Sequence, residues 1–326
     1  MRVLITTVPF GEQNRTPINL LNQNNVDYFL NPYNRKFSEN ELLELIKDFD
    51  IVIAGTDKFS KKILNEAKKL KFISRVGIGL DSLDLLEIKS KGIKVSFTPD
   101  APSPAIAELT IGMMLTLLRS THLSNIKMHK GDWYRTMGRS ISQITVGLIG
   151  VGRVGLKIIN YLNNFGPPKI LANDISNDVK KMNLPVNWVD KEIILKESDL
   201  VTLHLPLTNA TKNLIKQEQL FSMKKDAIII NTSRGGIINE NDLYYVMKSG
   251  HLSGAAIDVF EEEPYKGSLK EIERCLLTSH IGSMSKDCRA RMEIEATEEV
   301  LRFIKGENLL SLVPKEEYLA QEDGLK

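Results

Sequence analysis

This chain has little cysteine, almost no net charge and no long apolar run. Of its 326 residues only Cys275 and Cys288 are cysteines. They form no C-x-x-C pair and no metal-ligand pattern with histidine, which excludes a disulfide framework and leaves no metal expected. Two reduced thiols are the expectation. Lys and Arg number 43 against 41 Asp and Glu, a formal charge of +2. So even a balance gives no field to draw nucleic acid or an anionic membrane, and neither is expected as a partner. The longest apolar stretch, Leu109 to Leu118, is well short of the ~20 residues that span a bilayer and reads as buried helix. The opening Met1-Arg2-Val3-Leu4-Ile5 enters a strand directly, without a signal peptide's longer apolar run and cleavage site. A cytoplasmic protein is therefore expected.

What is present is alternation. Val3–Thr7, Ile51–Ala54, Lys71–Ser74 and Lys94–Phe97 read as strands, and helices are expected over 38–48, 60–70 and 83–91. Ser38-Glu39-Asn40-Glu41 carries a capping box. Thr98 to Pro104 holds three prolines and reads as irregular. A helix follows over 105–119. A second alternating block gives strands near 144–149, 169–173, 200–205, 227–232, 254–259 and 275–279, then a long helix over 286–305. Strands alternating with helices argue for parallel sheets covered on both faces. The expected fold is α/β, two doubly wound, Rossmann-like parallel-sheet domains, for a length that suggests two domains at about 150 residues each.

Thr145 to Ile149 leads into Gly150-Val151-Gly152-Arg153-Val154-Gly155 and then an amphipathic helix, Leu156 to Asn164. A bare G-x-G-x-x-G is weak evidence, but this one follows a strand and opens a helix. Gly150 allows the tight turn, Gly152 the approach of a pyrophosphate and Gly155 the packing of helix on strand. The next strand ends at Asp174, about 20 residues on, where a carboxylate can bond the ribose hydroxyls of NAD and would repel the 2′-phosphate of NADP. NAD is the expected cofactor.

Three later segments end strands with polar groups: Asn231-Thr232-Ser233-Arg234, Asp258 to Glu263, and Thr278-Ser279-His280. Ligands bind at the carboxyl ends of strands in open parallel sheets, so these groups can converge. Of five histidines, His122 and His129 fall on a polar helix, His251 in a Gly-His turn and His204 inside a strand, leaving His280 at a strand end near glycine. Each residue alone has an ordinary structural reading; behind an NAD loop they suggest chemistry together. An imidazole can give a proton to a ketone oxygen and retrieve it in reverse. A carboxylate, Glu263, can hold its tautomer, and a guanidinium, Arg234, can grip a substrate carboxylate.

These residues and several ordered motifs resemble the D-isomer-specific 2-hydroxyacid dehydrogenases over nearly the whole chain: "GIGLDSLD" (77–84), "IAELTIGMML" (106–115), "LHLPLTNATKNLI" (203–215), "NTSRGGIINENDL" (231–243), "GAAIDVFEEEP" (254–264) and "TSHIGS" (278–283). The resemblance implies a substrate domain from residues 1–98 plus 286–326 and an NAD domain from 99–285, closing over a cleft. It places the family's catalytic arginine, glutamate and histidine on Arg234, Glu263 and His280. Its cofactor contacts fall on Arg153, Val154, Asp174, Pro206, Thr232 and Asp258, with His204, Ser233 and Gly282 beside them. Its substrate loop falls on Arg75, Val76 and Gly77, the last two with backbone N–H groups facing the ligand. The 105–119 helix implies a homodimer.

Short phosphoglycerate dehydrogenase-like members are the nearest subgroup by "SRVGIGLDSLDL" (74–85) and "MHKGDWYR" (128–135), which nominate Arg75 and Arg135 for a phosphate. Against this, Ala54-Gly55-Thr56 lacks the arginine usual at the third strand's end. A regulatory C-terminal domain is not expected. Three readings stay open. One is a 2-hydroxyacid dehydrogenase acting on 3-phosphoglycerate or a related acid. Another is a glyoxylate or hydroxypyruvate reductase. The third is an NADH-sensing, corepressor-like scaffold.

Overall fold

The computed structural model describes residues 1–322. The chain divides into two compact units, Met1–Pro102 with Met284–Lys326, and Ser103–Ser283. Each is built on a wholly parallel sheet.

In the first unit β1 (Arg2–Ile5), β2 (Asp27–Leu30), β3 (Ile51–Ala54), β4 (Phe72–Arg75) and β5 (Lys94–Phe97) lie in the order β2-β1-β3-β4-β5. The central strand β3 is buried at all four positions, as an apolar run covered on both faces must be. The Ser38–Glu41 capping box forms: Ser38 donates its backbone N–H to Glu41 Oε2 at 2.7 Å, and the Glu41 N–H reaches Ser38 Oγ at 3.4 Å. The helix it opens ends at Leu45, and Ile46–Asp48 tightens into a 3₁₀ turn.

Three elements of this unit were not expected, among them a helix over Lys315–Glu322. Thr16–Gln23 is a helix started by Pro17, and Asp27–Leu30 is an edge strand with no fully buried position. The long helix Lys286–Lys305 packs here and carries a buried ion pair. Arg289 Nε donates to Glu293 Oε1 at 2.7 Å, Arg289 Nη2 donates to Thr7 Oγ1 at 2.7 Å, and Glu293 Oε2 accepts the Gly11 N–H at 2.8 Å. The pair thereby ties down the loop that leaves β1.

The second unit holds β6 (Thr145–Ile149), β7 (Lys169–Asn173), β8 (Asn187–Trp188), β9 (Leu200–Leu203), β10 (Ile228–Asn231), β11 (Gly254–Ile257) and β12 (Cys275–Leu277), in the order β12-β11-β10-β9-β6-β7-β8. Alternate residues feed opposite faces. Ile228 and Ile230 join one apolar cluster and Ile229 joins the other. The helix expected over 105–119 runs over Ser103–Arg119. Ser103 and Pro104 belong to its first turn, where proline's missing N–H costs nothing. His204, expected inside a strand, lies one residue past the end of β9. Among the described residues no helix is long and apolar enough to cross a membrane.

Candidate active site

Strand order in the second unit reverses between β9 and β6. The loop leaving β6 therefore sits at the switch point, where open parallel sheets take ligands. Its three glycines meet three different constraints. Gly150 has φ +96°, and a Cβ there would collide with the His204 carbonyl oxygen. A Cβ on Gly155 would lie 2.5 Å from the Gly150 carbonyl oxygen, so helix and loop touch there. Gly152 has nothing within 4 Å of its missing Cβ. That open space adjoins the start of helix Arg153–Phe165, whose N-cap, Gly152, brings no side-chain acceptor to the first N–H groups. Such N–H groups have no partner within the helix, and an anion suits this position.

Asp174, just past β7, accepts the Val151 N–H at 2.6 Å and the Ser176 N–H at 2.7 Å, one on each oxygen. A carboxylate has about four acceptor positions, so it can tie the glycine loop and still receive ribose hydroxyls. Open space, uncapped N–H groups and a carboxylate on the neighbouring strand fit a dinucleotide.

Asn231, Ile257 and Leu277, the last residues of β10, β11 and β12, stand side by side in register. Three loops thus leave one edge of the sheet. In the first, the Asn231 side chain accepts the Ser233 N–H at 3.0 Å and the Ser233 hydroxyl at 2.7 Å, and donates to the Arg234 carbonyl at 2.8 Å. This Asx-type closure sets Arg234. Next to it, Gly235 lies so close to the Phe260–Glu261 peptide that any Cβ would collide with it. The arginine loop and the acidic loop are therefore packed backbone to backbone.

Asp258, fully buried, opens the second loop and organises the third. Its carboxylate accepts the Thr278 hydroxyl at 2.6 Å, the Ile281 N–H at 2.8 Å and the Gly282 N–H at 2.9 Å, and its carbonyl accepts the His280 N–H at 2.8 Å. His280 is thereby held at φ +54°, a left-handed conformation that costs a residue with a Cβ roughly 1–2 kcal/mol. Strain of this kind persists where surrounding bonds over-determine it.

The His280 ring meets Glu263: Nδ1 lies 2.9 Å from both carboxylate oxygens. An ionised carboxylate only accepts, so Nδ1 carries the proton and Nε2 is left to exchange one. The Phe260 N–H, 3.2 Å from Glu263 Oε1, steadies the carboxylate. Side-chain exposures of 45% for His280 and 34% for Glu263 leave the pair open to a small molecule.

The other cofactor candidates fall in the same unit. Thr232 is buried with its hydroxyl 2.9 Å from that of Thr110, and Ser233 is turned onto Asn231. The Pro206 carbonyl accepts the Thr211 hydroxyl at 2.6 Å. Gly282 is buried against Ile106. Arg153 and Val154 open the helix beside Gly152. His204 Nε2 is 2.9 Å from the Thr202 hydroxyl, and burial pushes its imidazole down to about 3, so it stays neutral.

In the first unit, Arg75 ends β4 and is buried. Its guanidinium donates to the carbonyls of Gly79, at 3.0 Å, and Val76. The Val76 N–H donates to the Ala54 carbonyl at 2.9 Å and the Gly77 N–H to the Thr98 hydroxyl at 2.7 Å. The two amides expected to face a ligand both donate to protein acceptors, and the guanidinium expected to take a phosphate is folded into its own loop. Arg135, the other phosphate candidate, is exposed in the second unit. The closure by Asn231 is not among the sequence expectations, although an asparagine just before Thr-Ser-Arg is a recognisable turn signal. Nor is the anchoring by Asp258, for which no local signal exists.

Comparison with known proteins shows the family. Residues 111–282 match the family model for the D-isomer specific 2-hydroxyacid dehydrogenase, NAD binding domain. A hydroxypyruvate reductase of Thermotoga maritima is 36% identical, over 81% of this chain and 88% of its own length. A D-3-phosphoglycerate dehydrogenase of Methanocaldococcus jannaschii is 37% identical over 83% of this chain, which spans only 52% of that relative. Among solved structures, the TT0316 protein of Thermus thermophilus superposes with a TM-score of 0.88 at 29% identity, over 96% of this chain and all of that one.

Proposed function

We propose, since this chain belongs to the D-isomer specific 2-hydroxyacid dehydrogenase family of NAD-dependent oxidoreductases, that it interconverts a D-2-hydroxy acid and its 2-keto acid through Arg234, Glu263 and His280. The 150–155 loop and Asp174 would hold the cofactor, which would supply a hydride as NADH in reduction and accept one as NAD in oxidation. Arg234 grips the substrate carboxylate by charge-assisted hydrogen bonds. His280 Nε2 gives its proton to the substrate oxygen during reduction and takes it back during oxidation. Glu263 keeps Nδ1–H in place and stabilises the imidazolium that forms. The observation that carries this reading is the 2.9 Å contact of His280 Nδ1 with Glu263 on the strand edge that also bears the glycine loop.

The preferred substrate is a small unphosphorylated 2-keto acid of the hydroxypyruvate or glyoxylate type. The inward-turned Arg75 supports this, as does the near-complete coverage of the Thermotoga reductase. A second reading, 3-phosphoglycerate, is favoured by the Methanocaldococcus relative. NADH oxidation against glyoxylate, hydroxypyruvate and 3-phosphohydroxypyruvate separates the two. A higher kcat/KM for the phosphorylated acid rejects the first, and no turnover of any of them rejects both.

The chain is further proposed to work as a cytoplasmic homodimer joined through the 105–119 helix and the segment after it. Ile111 and Leu115 are part-exposed on that helix, and Met128, Trp133, Tyr134 and Met137 are exposed just beyond. Exposed large apolar side chains gathered in one stretch of chain support an interface there. Sedimentation of wild type against Trp133→Asp tests it, a monomeric wild type being the contrary result.

A further inference from the structure

The acidic run after β11 contains more than Glu263. Glu240, the first residue of helix Glu240–Ser249, is half-buried, and its Oε1 accepts the Glu261 N–H at 2.8 Å across 21 residues of chain. That N–H belongs to the Phe260–Glu261 peptide, which packs directly against Gly235. The same stretch carries the Phe260 N–H that steadies Glu263, and the Phe260 ring is stacked on Tyr265 at 4.1 Å between centroids. A single peptide is thus packed against a glycine, held at its N–H by a carboxylate and flanked by an aromatic stack. Glu263 stands two residues further on.

We propose that Glu240 is a positioning residue for the His280–Glu263 pair: by holding the Glu261 amide it fixes the loop from which Glu263 reaches the imidazole. This rests on the pair being the proton-transfer pair of the proposed reaction. Electrostatics argues that the arrangement serves something other than stability. Burial raises the Glu240 pKa, and the neighbouring Glu261 and Glu263 carboxylates raise it further, against the Glu261 N–H bond. A helix start welcomes a carboxylate, but a solvated one would suffice. Glu240 instead turns toward two like charges to reach an amide that water could have satisfied.

The test compares Glu240→Ala, which removes the acceptor, with Glu240→Gln, whose amide oxygen keeps it. A small misplacement of a reacting group can cost about 10² in rate. Glu240→Ala is expected to lower kcat roughly 10- to 100-fold with KM for NADH unchanged, and Glu240→Gln to restore most of it. In a His280→Ala background Glu240→Ala should cost nothing further, because residues acting through one group are non-additive.

Imidazole ¹⁵N spectra report the same link without turnover. Wild type should hold His280 in the Nδ1–H form, as Glu240→Gln should, while Glu240→Ala should show a mixture of tautomers. Unchanged kcat and an unchanged His280 spectrum in Glu240→Ala overturn the proposal, as does an additive loss in the double variant. A wild type without turnover whose His280 tautomer still depends on Glu240 rejects the reaction and leaves the positioning role standing.

Discussion

Asp258 and Gly282, 24 residues apart, are joined by a 2.9 Å hydrogen bond from the Gly282 N–H to Asp258 Oδ2. With the Thr278 and Ile281 bonds to Oδ1 it makes the histidine loop an extension of the end of β11. His280 is therefore aimed by the sheet, although its own strand, β12, is only three residues long.

Replacing Asp258 by Asn turns one acceptor into a donor facing N–H or O–H groups. A buried donor left without an acceptor costs about 1–3 kcal/mol. Asp258→Asn is expected to lose stability of that order and, once folded, to turn over roughly 10-fold or more slowly, checked by denaturant melts and steady-state rates on the same preparation. Native stability with native kcat contradicts the anchoring role.

The glycines of the 150–155 loop should separate folding from binding. Gly150→Ala needs a positive φ and room that the His204 carbonyl occupies, so its melting temperature should fall. Gly152→Ala has a permissive backbone and open space around the new methyl. It should melt like wild type and bind NADH roughly tenfold or more weakly, because the methyl fills the space a pyrophosphate needs. Titration of NADH fluorescence beside a thermal scan distinguishes them, and tight NADH binding by Gly152→Ala removes that space from the cofactor site.

His204 gives a pH signature. Its folded-state pKa, about 3, lies below the ordinary imidazole value of 6.5 because burial disfavours the charged form. Below pH 6.5 the unfolded chain binds a proton that the folded chain refuses. This contribution is constant above 6.5, and stability drains away as pH falls from 6.5 toward 3. Urea midpoints of wild type and His204→Gln at about pH 7.5 and about pH 4.5, either side of the ordinary imidazole value, check it. The variant should lose less on acidification, and equal losses contradict an imidazole kept neutral in the folded chain.

Both thiols are buried, which pushes Cys275 up to about 12 and Cys288 up to about 11. Since the thiolate is the reactive form, neither should be alkylated by iodoacetamide at about pH 8 in the native protein, and both should react in denaturant. Mass spectrometry reads this directly, and modification before unfolding contradicts it.

The parallel core was legible because strands buried on both faces must be apolar runs. Ile51–Ala54 and Ile228–Asn231 show this, bounded by glycine or by polar residues. Of the four edge strands, β5 and β12 were legible and β2 and β8 were not: Asp27–Leu30 and Asn187–Trp188 have no fully buried position and each pairs with one neighbour only. The glycine loop could be read because its glycine spacing falls between a strand and a helix in one continuous stretch of chain. What held the candidate site together could not. The positive φ of His280, the Asp258 anchor and the reach of Glu240 arise where loops distant in sequence meet at one sheet edge, and nothing in their local sequence announces it. Arg75 shows the converse, a cation whose sequence context suggested a ligand and whose side chain serves its own loop.

The most direct test of the account is His280→Ala. Loss of one general acid commonly costs about 10² to 10⁴ in rate. The variant is expected to bind NADH as wild type does and to oxidise it with a 2-keto acid roughly a hundredfold or more slowly. Turnover within a few-fold of wild type would contradict it.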